Sequence, residues 1–211
     1  MPRPSQQLDQ ALLRSGRALY PALGCAGLSQ RKLAEHAGIS PGMFHYHFAS
    51  KDVFLRALLQ QLYEEMFAGL EADTGLDQPA LQRLQLGLIG LARFVREHRP
   101  LLMRLALDAA SGEAVPREFM RANALRHLGL LAGLLMQAQL SGELPVTRHP
   151  VQRVAFVLGA VIAPMVVVPA IAALGVALPG PAISTQVLGD AAIRDRVAMA
   201  LAALRQPQES A

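Results

Sequence analysis

The chain has 211 residues, of which 52% are hydrophobic, 17% charged and 5% aromatic, with no Trp and a net charge of +4. So apolar a chain buries a large core, which excludes a disordered protein, and its wealth of Ala and Leu favours helices over sheets. The single cysteine, Cys25, excludes an internal disulfide and a cysteine-based zinc site.

The positive charge is concentrated. Within residues 1–60, Arg3, Arg14, Arg17, Arg31, Lys32, Lys51 and Arg56 are set against only Asp9, Glu35 and Asp52, and the rest of the chain balances. A basic unit on a neutral body points to a polyanion partner for that unit. The opening MPRPSQQLDQ carries no apolar core of a signal peptide, so a cytoplasmic protein is expected.

In chain order, residues 6–23 form the first expected helix, closed by Gly24. Ser29 caps a second, which Gly38 stops. Ser40 caps a third whose first residue is Pro41, with Phe44 and Phe48 turned inward. Ser50 caps a fourth that carries Asp52 in its first turn and an apolar stripe from Val53 to Leu70. A break is expected at Thr74–Pro79. One helix then follows from Pro79 to His98, and a short one from Pro100. After a loop at Ser111–Pro116, helices are expected over Arg117–Leu140, Val151–Leu174 and Asp190–Arg205, with a loose tail beyond Pro207.

Ser29–Phe48 reads as a helix-turn-helix. Ala34 is small where the two helices approach, Ile39 plugs the turn, and Leu33, Phe44 and Phe48 hold the pair to its neighbours. Gly42 lets backbone approach a phosphate. Met43, His45, Tyr46 and His47 are the long side chains expected to face bases, while Ser29, Arg31, Ser40 and Lys51 position the DNA backbone. His45 and His47, at i and i+2, share no helix face and have no Cys or carboxylate cluster beside them, so no metal site is expected.

Leu19-Tyr20, Gly24, Ser29, Arg31, Leu33-Ala34, Ala37 to Ser40, Gly42, Phe44, Tyr46, Phe48 and Ser50-Lys51 together resemble the TetR family of bacterial transcriptional regulators. The resemblance covers about residues 8–58. Cys25, Gln30, Pro21 and Lys32 depart from the pattern. The last of these stands where a capping-box acid would support the second helix.

The resemblance implies an all-α protein of about nine helices. It divides into a DNA-binding domain at residues 1–50 and a ligand-binding and dimerisation domain at 51–211. It implies a homodimer on a palindromic site in double-stranded DNA, with the last two helices packed against their copies. Ile193, Val197, Ala200, Leu201 and Leu204 are the interface residues expected on the last helix. It also implies a small-molecule effector pocket, for which Phe94, His98, Met103, Leu107, Met120, Asn123, His127, Leu131, Met136, Phe156 and Met165 are the candidates. A repressor released by an apolar or amphipathic effector is the expected function, and no cofactor is called for. A membrane-tethered or effector-independent DNA-binding protein is the alternative.

Val154–Leu178 is uncharged over 25 positions and long enough to span a bilayer. Pro164 and Pro169 interrupt it and no Trp or Tyr flanks it, so a buried helix is expected. No nucleophile elbow, phosphate loop or HExxH pattern suggests an enzyme.

Overall fold

Capping chemistry sets the first helix ends: α1 spans Pro4–Gly27, α2 Gln30–Ala37, α3 Pro41–His47 and α4 Lys51–Asp73. The computed structural model describes residues 4–74, 77–147, 149–175 and 183–206, so the expected loose tail lies outside the described residues. The Ser29 hydroxyl accepts from the Lys32 amide at 3.3 Å, a cap worth about 1 kcal/mol. Gly38 ends α2 in the left-handed region at φ 69°. There its own amide reaches the Glu35 carbonyl, and the Ile39 amide reaches that of Ala34. Ser40 makes no side-chain cap, so Pro41 alone pre-sets the start of α3. Ser50 accepts from the Val53 amide at 3.2 Å and opens α4.

The remaining helices are α5 (Ala80–Ala110), α6 (Ala114–Leu140), α7 (Pro150–Ala173), α8 (Ile183–Leu188) and α9 (Asp190–Leu204). α1 continues past its expected end at Gly24, which forms a kink inside it, and three further features differ from expectation. α5 runs unbroken through Pro100, forgoing one i→i−4 bond. α6 begins at Ala114, because Pro116 falls in its first turn, where a missing N–H costs nothing. α8 was not anticipated; it is a six-residue helix just before α9.

By packing the chain divides into two units, Met1–Glu65 with Pro100–Asn123, and Met66–Arg99 with Ala124–Ala211. The first is centred on Leu12, Tyr20, Leu33, Phe44, Phe54 and Leu58, all fully buried. Phe44, Phe48 and Phe54 form a ring cluster with centroids 5.1–5.8 Å apart. The second unit is built on Leu84, Leu88 and Ala92 of α5, Leu131, Leu134 and Ala138 of α6, Val157, Val161 and Met165 of α7, and Ile193 and Val197 of α9. Asp190, the first residue of α9, accepts from Arg93 at 3.0 Å and Arg96 at 2.7 Å, and Arg96 also donates to the Leu188 carbonyl.

Glycines inside helices separate close packing from open surface. At Gly16 a Cβ would stand 2.6 Å from Phe54 Cζ, whereas at Gly69 it would meet nothing within 4 Å. Gly69→Ala is expected to raise stability by about 0.5–1 kcal/mol. Gly16→Ala is expected to lower it by about 1–3 kcal/mol, both read as shifts of the urea midpoint.

Candidate nucleic-acid interface

The helical wheel of α3 starts from Phe44, which is fully buried. At 100° per residue, Tyr46 stands on the opposite side, Met43 and His45 flank it, and His47 returns toward Phe44. The structure follows this geometry. Tyr46 is 79% exposed, His45 is exposed and Met43 half-buried. Ser29, Arg31, Ser40 and Gly42 are also exposed, and no atom lies within 4 Å of a Cβ built on Gly42. The outward surface of the motif is therefore one tyrosine flanked by a histidine and a methionine, beside a bare stretch of backbone.

His47 is corrected from its expected outward role. Its side chain is 3% exposed, and Nδ1 lies 2.6 Å from Asp9 Oδ1 of α1. It fastens the end of α3 to α1 because i+3 from an inward Phe44 is also inward. Lys51 likewise has an internal partner. Its ammonium donates to the Cys25 carbonyl at 2.9 Å, leaving two of its three donors for a phosphate. Lys32 donates its amide to Ser29 and its ammonium to the Gly27 carbonyl. His36 Nδ1 meets the buried Ser15 hydroxyl at 3.0 Å and joins α2 to α1.

Behind the motif, α1 bends at Gly24, which adopts φ 61°. The bend leaves the Cys25 amide without a helical partner, and Asp108 of α5 accepts from it at 2.8 Å. Asp108 is 3% exposed and pairs with Arg104 at 2.9 Å. Arg104 occupies the space that a side chain at position 24 would need. Burial would raise the Asp108 carboxyl, but hydrogen bonds from the Cys25 amide, Tyr20, the Cys25 thiol and Arg104 outweigh it and hold the carboxyl below its ordinary value. Burial first, then Asp108, pushes the Cys25 thiol up to about 12, so at neutral pH it is a thiol and not a nucleophile. Sequence reasoning missed Asp108, Arg104 and His36. A lone buried acid in the distant α5 has no local signature.

The expected pocket residues are divided between the two units. Met103, Leu107 and Met120 are exposed in the first, where the Asn123 amide donates to the Phe119 carbonyl at 3.0 Å. In the second, Leu131 and Met165 belong to the core, and the Phe94 and His98 rings lie 4.3 Å apart. His127 is half-buried, and Met136 and Phe156 are exposed. Among these residues, Phe94 and His98 are brought together, and Met136 lines a cavity with residues not anticipated. The expected interface residues of α9 are corrected too. Ile193, Val197, Ala200, Leu201 and Leu204 are all buried within their own chain. Their 3–4 spacing marks an apolar stripe, and that stripe serves the core.

A short helix with one face outward, packed behind a capped partner helix, is the geometry of a helix-turn-helix. Residues 12–58 match the family described as bacterial regulatory proteins, tetR family. No curated protein sequence matches the chain. Among solved structures, it is similar to a TetR-family transcriptional regulator from Rhodococcus sp., with TM-score 0.73 and 21% identity over 95% of this chain and 100% of that one. A TetR transcription regulator from Haloarcula marismortui has TM-score 0.72 and 17% identity, covering 95% and 100%. A Clostridium perfringens protein described as a fatty acid metabolism regulator has TM-score 0.71 and 12% identity, covering 94% and 100%. Residues 12–58 thus carry the N-terminal domain that the tetR-family model describes, and the chain shares the fold of these solved regulators.

The Asp108 clamp has a definite pH signature. A depressed carboxyl stabilises in full above the ordinary carboxylate value near pH 4 and loses that contribution as pH falls toward the depressed value. Asp108→Asn is expected to cost about 1.5–3 kcal/mol at neutral pH. It is also expected to flatten acid destabilisation below about pH 4. Denaturant melts across a pH series check both.

Proposed function

We propose that the protein is a ligand-responsive repressor whose homodimer binds a palindromic operator and is released by a small apolar or amphipathic effector. The observation that carries the DNA reading is the outward presentation of Tyr46 and His45 on α3. In this reading Met43, His45 and Tyr46 meet base edges in the major groove, and Ser29, Arg31, Ser40 and Lys51 hold phosphates. Residues 1–50 are the head and residues 51–211 the regulatory and dimerisation body. The protein works in the cytoplasm.

The dimer face is assigned to the outer sides of α7 and α9. Ala155, Phe156, Gly159, Ala163, Val167 and Ala170 recur at 3–4 spacing on the exposed side of α7, and Ala198, Met199 and Ala202 on that of α9. Small residues let helices approach closely, and the larger Phe156, Val167 and Met199 supply area. An 18-residue stretch of α7 has a mean hydropathy of 2.6, and the helix is long enough to cross a membrane. Its other side, at Val157, Val161 and Met165, belongs to the core of its own chain. Burial on one side suits a second subunit better than lipid all round. Release by an effector requires tighter binding to the non-DNA state, and a ten- to hundredfold release corresponds to about 1.4–3 kcal/mol of coupling. Because Asp108 grips the bend of α1, a shift of α5 would reach the head directly.

Tyr46→Ala, with helicity unchanged, is expected to weaken binding to the DNA upstream of the gene by about ten- to hundredfold in a mobility-shift titration. Unaltered affinity and specificity after replacing both His45 and Tyr46 would refute the interface. Phe156→Glu combined with Val167→Glu is expected to shift the protein toward monomer in sedimentation velocity. Because each head alone reads only a half-site, operator affinity should fall with it.

A further inference from the structure

In the second unit, α6 and the start of α7 leave a cavity of about 480 Å³, within the range of small-molecule sites. Its walls are mostly apolar and include Gly129, Gly133, Met136, Val151 and Val154. Two features distinguish it from a packing defect.

The first is Arg153, which lines the cavity and is only 3% exposed. Its Nη1 donates to the Pro145 carbonyl at 2.7 Å. Among the described residues no carboxylate pairs with it, and burial alone draws its pKa down. A guanidinium buried against one neutral carbonyl carries a desolvation cost that no carboxylate among the described residues offsets. The second is the pair Gly129 and Gly133, one turn apart within α6. Nothing lies within 4 Å of a Cβ built at either. Glycine weakens a helix interior, and here no neighbour among the described residues requires the missing side chain. What the two glycines do provide is an open floor on the side of α6 that faces Arg153.

We propose that this cavity binds a small amphipathic carboxylate, its head group on Arg153 and its apolar body along the Gly129–Gly133 face of α6. The proposal rests on the effector reading above and names the ligand class. A carboxylate matches the planar fork of a guanidinium with two parallel N–H bonds. It also supplies the charge that the site lacks. The tail displaces water from Met136, Val151 and Val154, and the flexible thioether adapts to its shape. A neutral molecule of the same shape gains the apolar contact but leaves the guanidinium unpaired.

Calorimetric titration of the full chain with decanoate and with decanol tests this. Decanoate is expected to bind at least about tenfold more tightly than decanol. Arg153→Met should erase that difference. Gly133→Leu fills the floor without touching the charge, and should weaken decanoate binding about tenfold or more. Equal affinity for the two probes overturns the proposal. So does decanoate binding that is unchanged in Arg153→Met or, if that variant does not fold, in Gly133→Leu. Mobility shifts with the upstream DNA in the presence of each probe separate the site from the effector reading. Decanoate bound through Arg153 with DNA affinity unaltered upholds the site and removes the effector role. A neutral apolar molecule that releases the DNA while decanoate fails to bind overturns the site and leaves the effector role standing.

Discussion

The first unit turns on one buried carboxylate. Gly24 takes a left-handed turn that leaves the Cys25 amide without a helical partner, and the end of α1 at Gly27 does the same for the Cys25 carbonyl. Asp108 of α5 takes the amide and Lys51 of α4 takes the carbonyl. Each bond is charge-assisted, and so stronger than the neutral helical bond it replaces. Arg104 then neutralises Asp108 and fills the volume that any residue other than glycine would claim at position 24. The bend is thus specified by charge, shape and backbone freedom together. Helices α2 and α3 start from its far side, so their placement inherits that rigidity. His36 on Ser15 and His47 on Asp9 secure each of them again to α1.

The second unit is governed by a division between kinds of apolar side chain. Branched residues on α7 and α9, such as Val157, Val161, Ile193 and Val197, fill the interior. The outward sides of the same helices carry many alanines, with Gly159, a few larger apolar residues and, on α9, Arg194 and Asp195 among them. Hydrophobicity alone does not distinguish these faces, since alanine and valine are both apolar. Size does. Large branched residues gain most from the dense packing of a core, while small ones keep an outer face smooth. Arg153 is the one charged residue on the buried side of α7. It accounts for why this uncharged-looking helix is not apolar throughout.

Legibility followed the range of the interactions. Ser29, Gly38, Pro41 and Ser50 act within four residues of themselves, and the ends of α2, α3 and α4 were readable from them. Tyr46 was readable as outward because α3 is amphipathic around Phe44. The same wheel places His47 inward, but its aromatic polar character suggested a reader, and its partner Asp9 lies in another helix. The tie between Cys25 and Asp108 joins residues 83 apart, and no spacing rule reaches that far. The interface residues of α9 were misplaced for a different reason. Periodicity finds the stripe but carries no information on whether the stripe meets its own chain or another. Pro100 misled because a proline weighs against a helix locally, while packing along both flanks of α5 keeps the helix whole.

The length of α3 limits how much sequence one head can distinguish. Seven helical residues extend about 10 Å, roughly the rise of three base pairs. With His47 withdrawn into the interior, Met43, His45 and Tyr46 are the side chains that the proposed reading leaves for them. A word of three base pairs recurs about once in every sixty positions, far too often to mark a single promoter among the competing sites of a genome. Two such words at a fixed spacing recur about once in four thousand, and each further base pair selected through DNA shape multiplies that figure. For the homodimer proposed above, discrimination would therefore reside less in the chemistry of any one side chain than in the ruler that holds two short readings at a set distance. In the proposed dimer that ruler is the body of the protein.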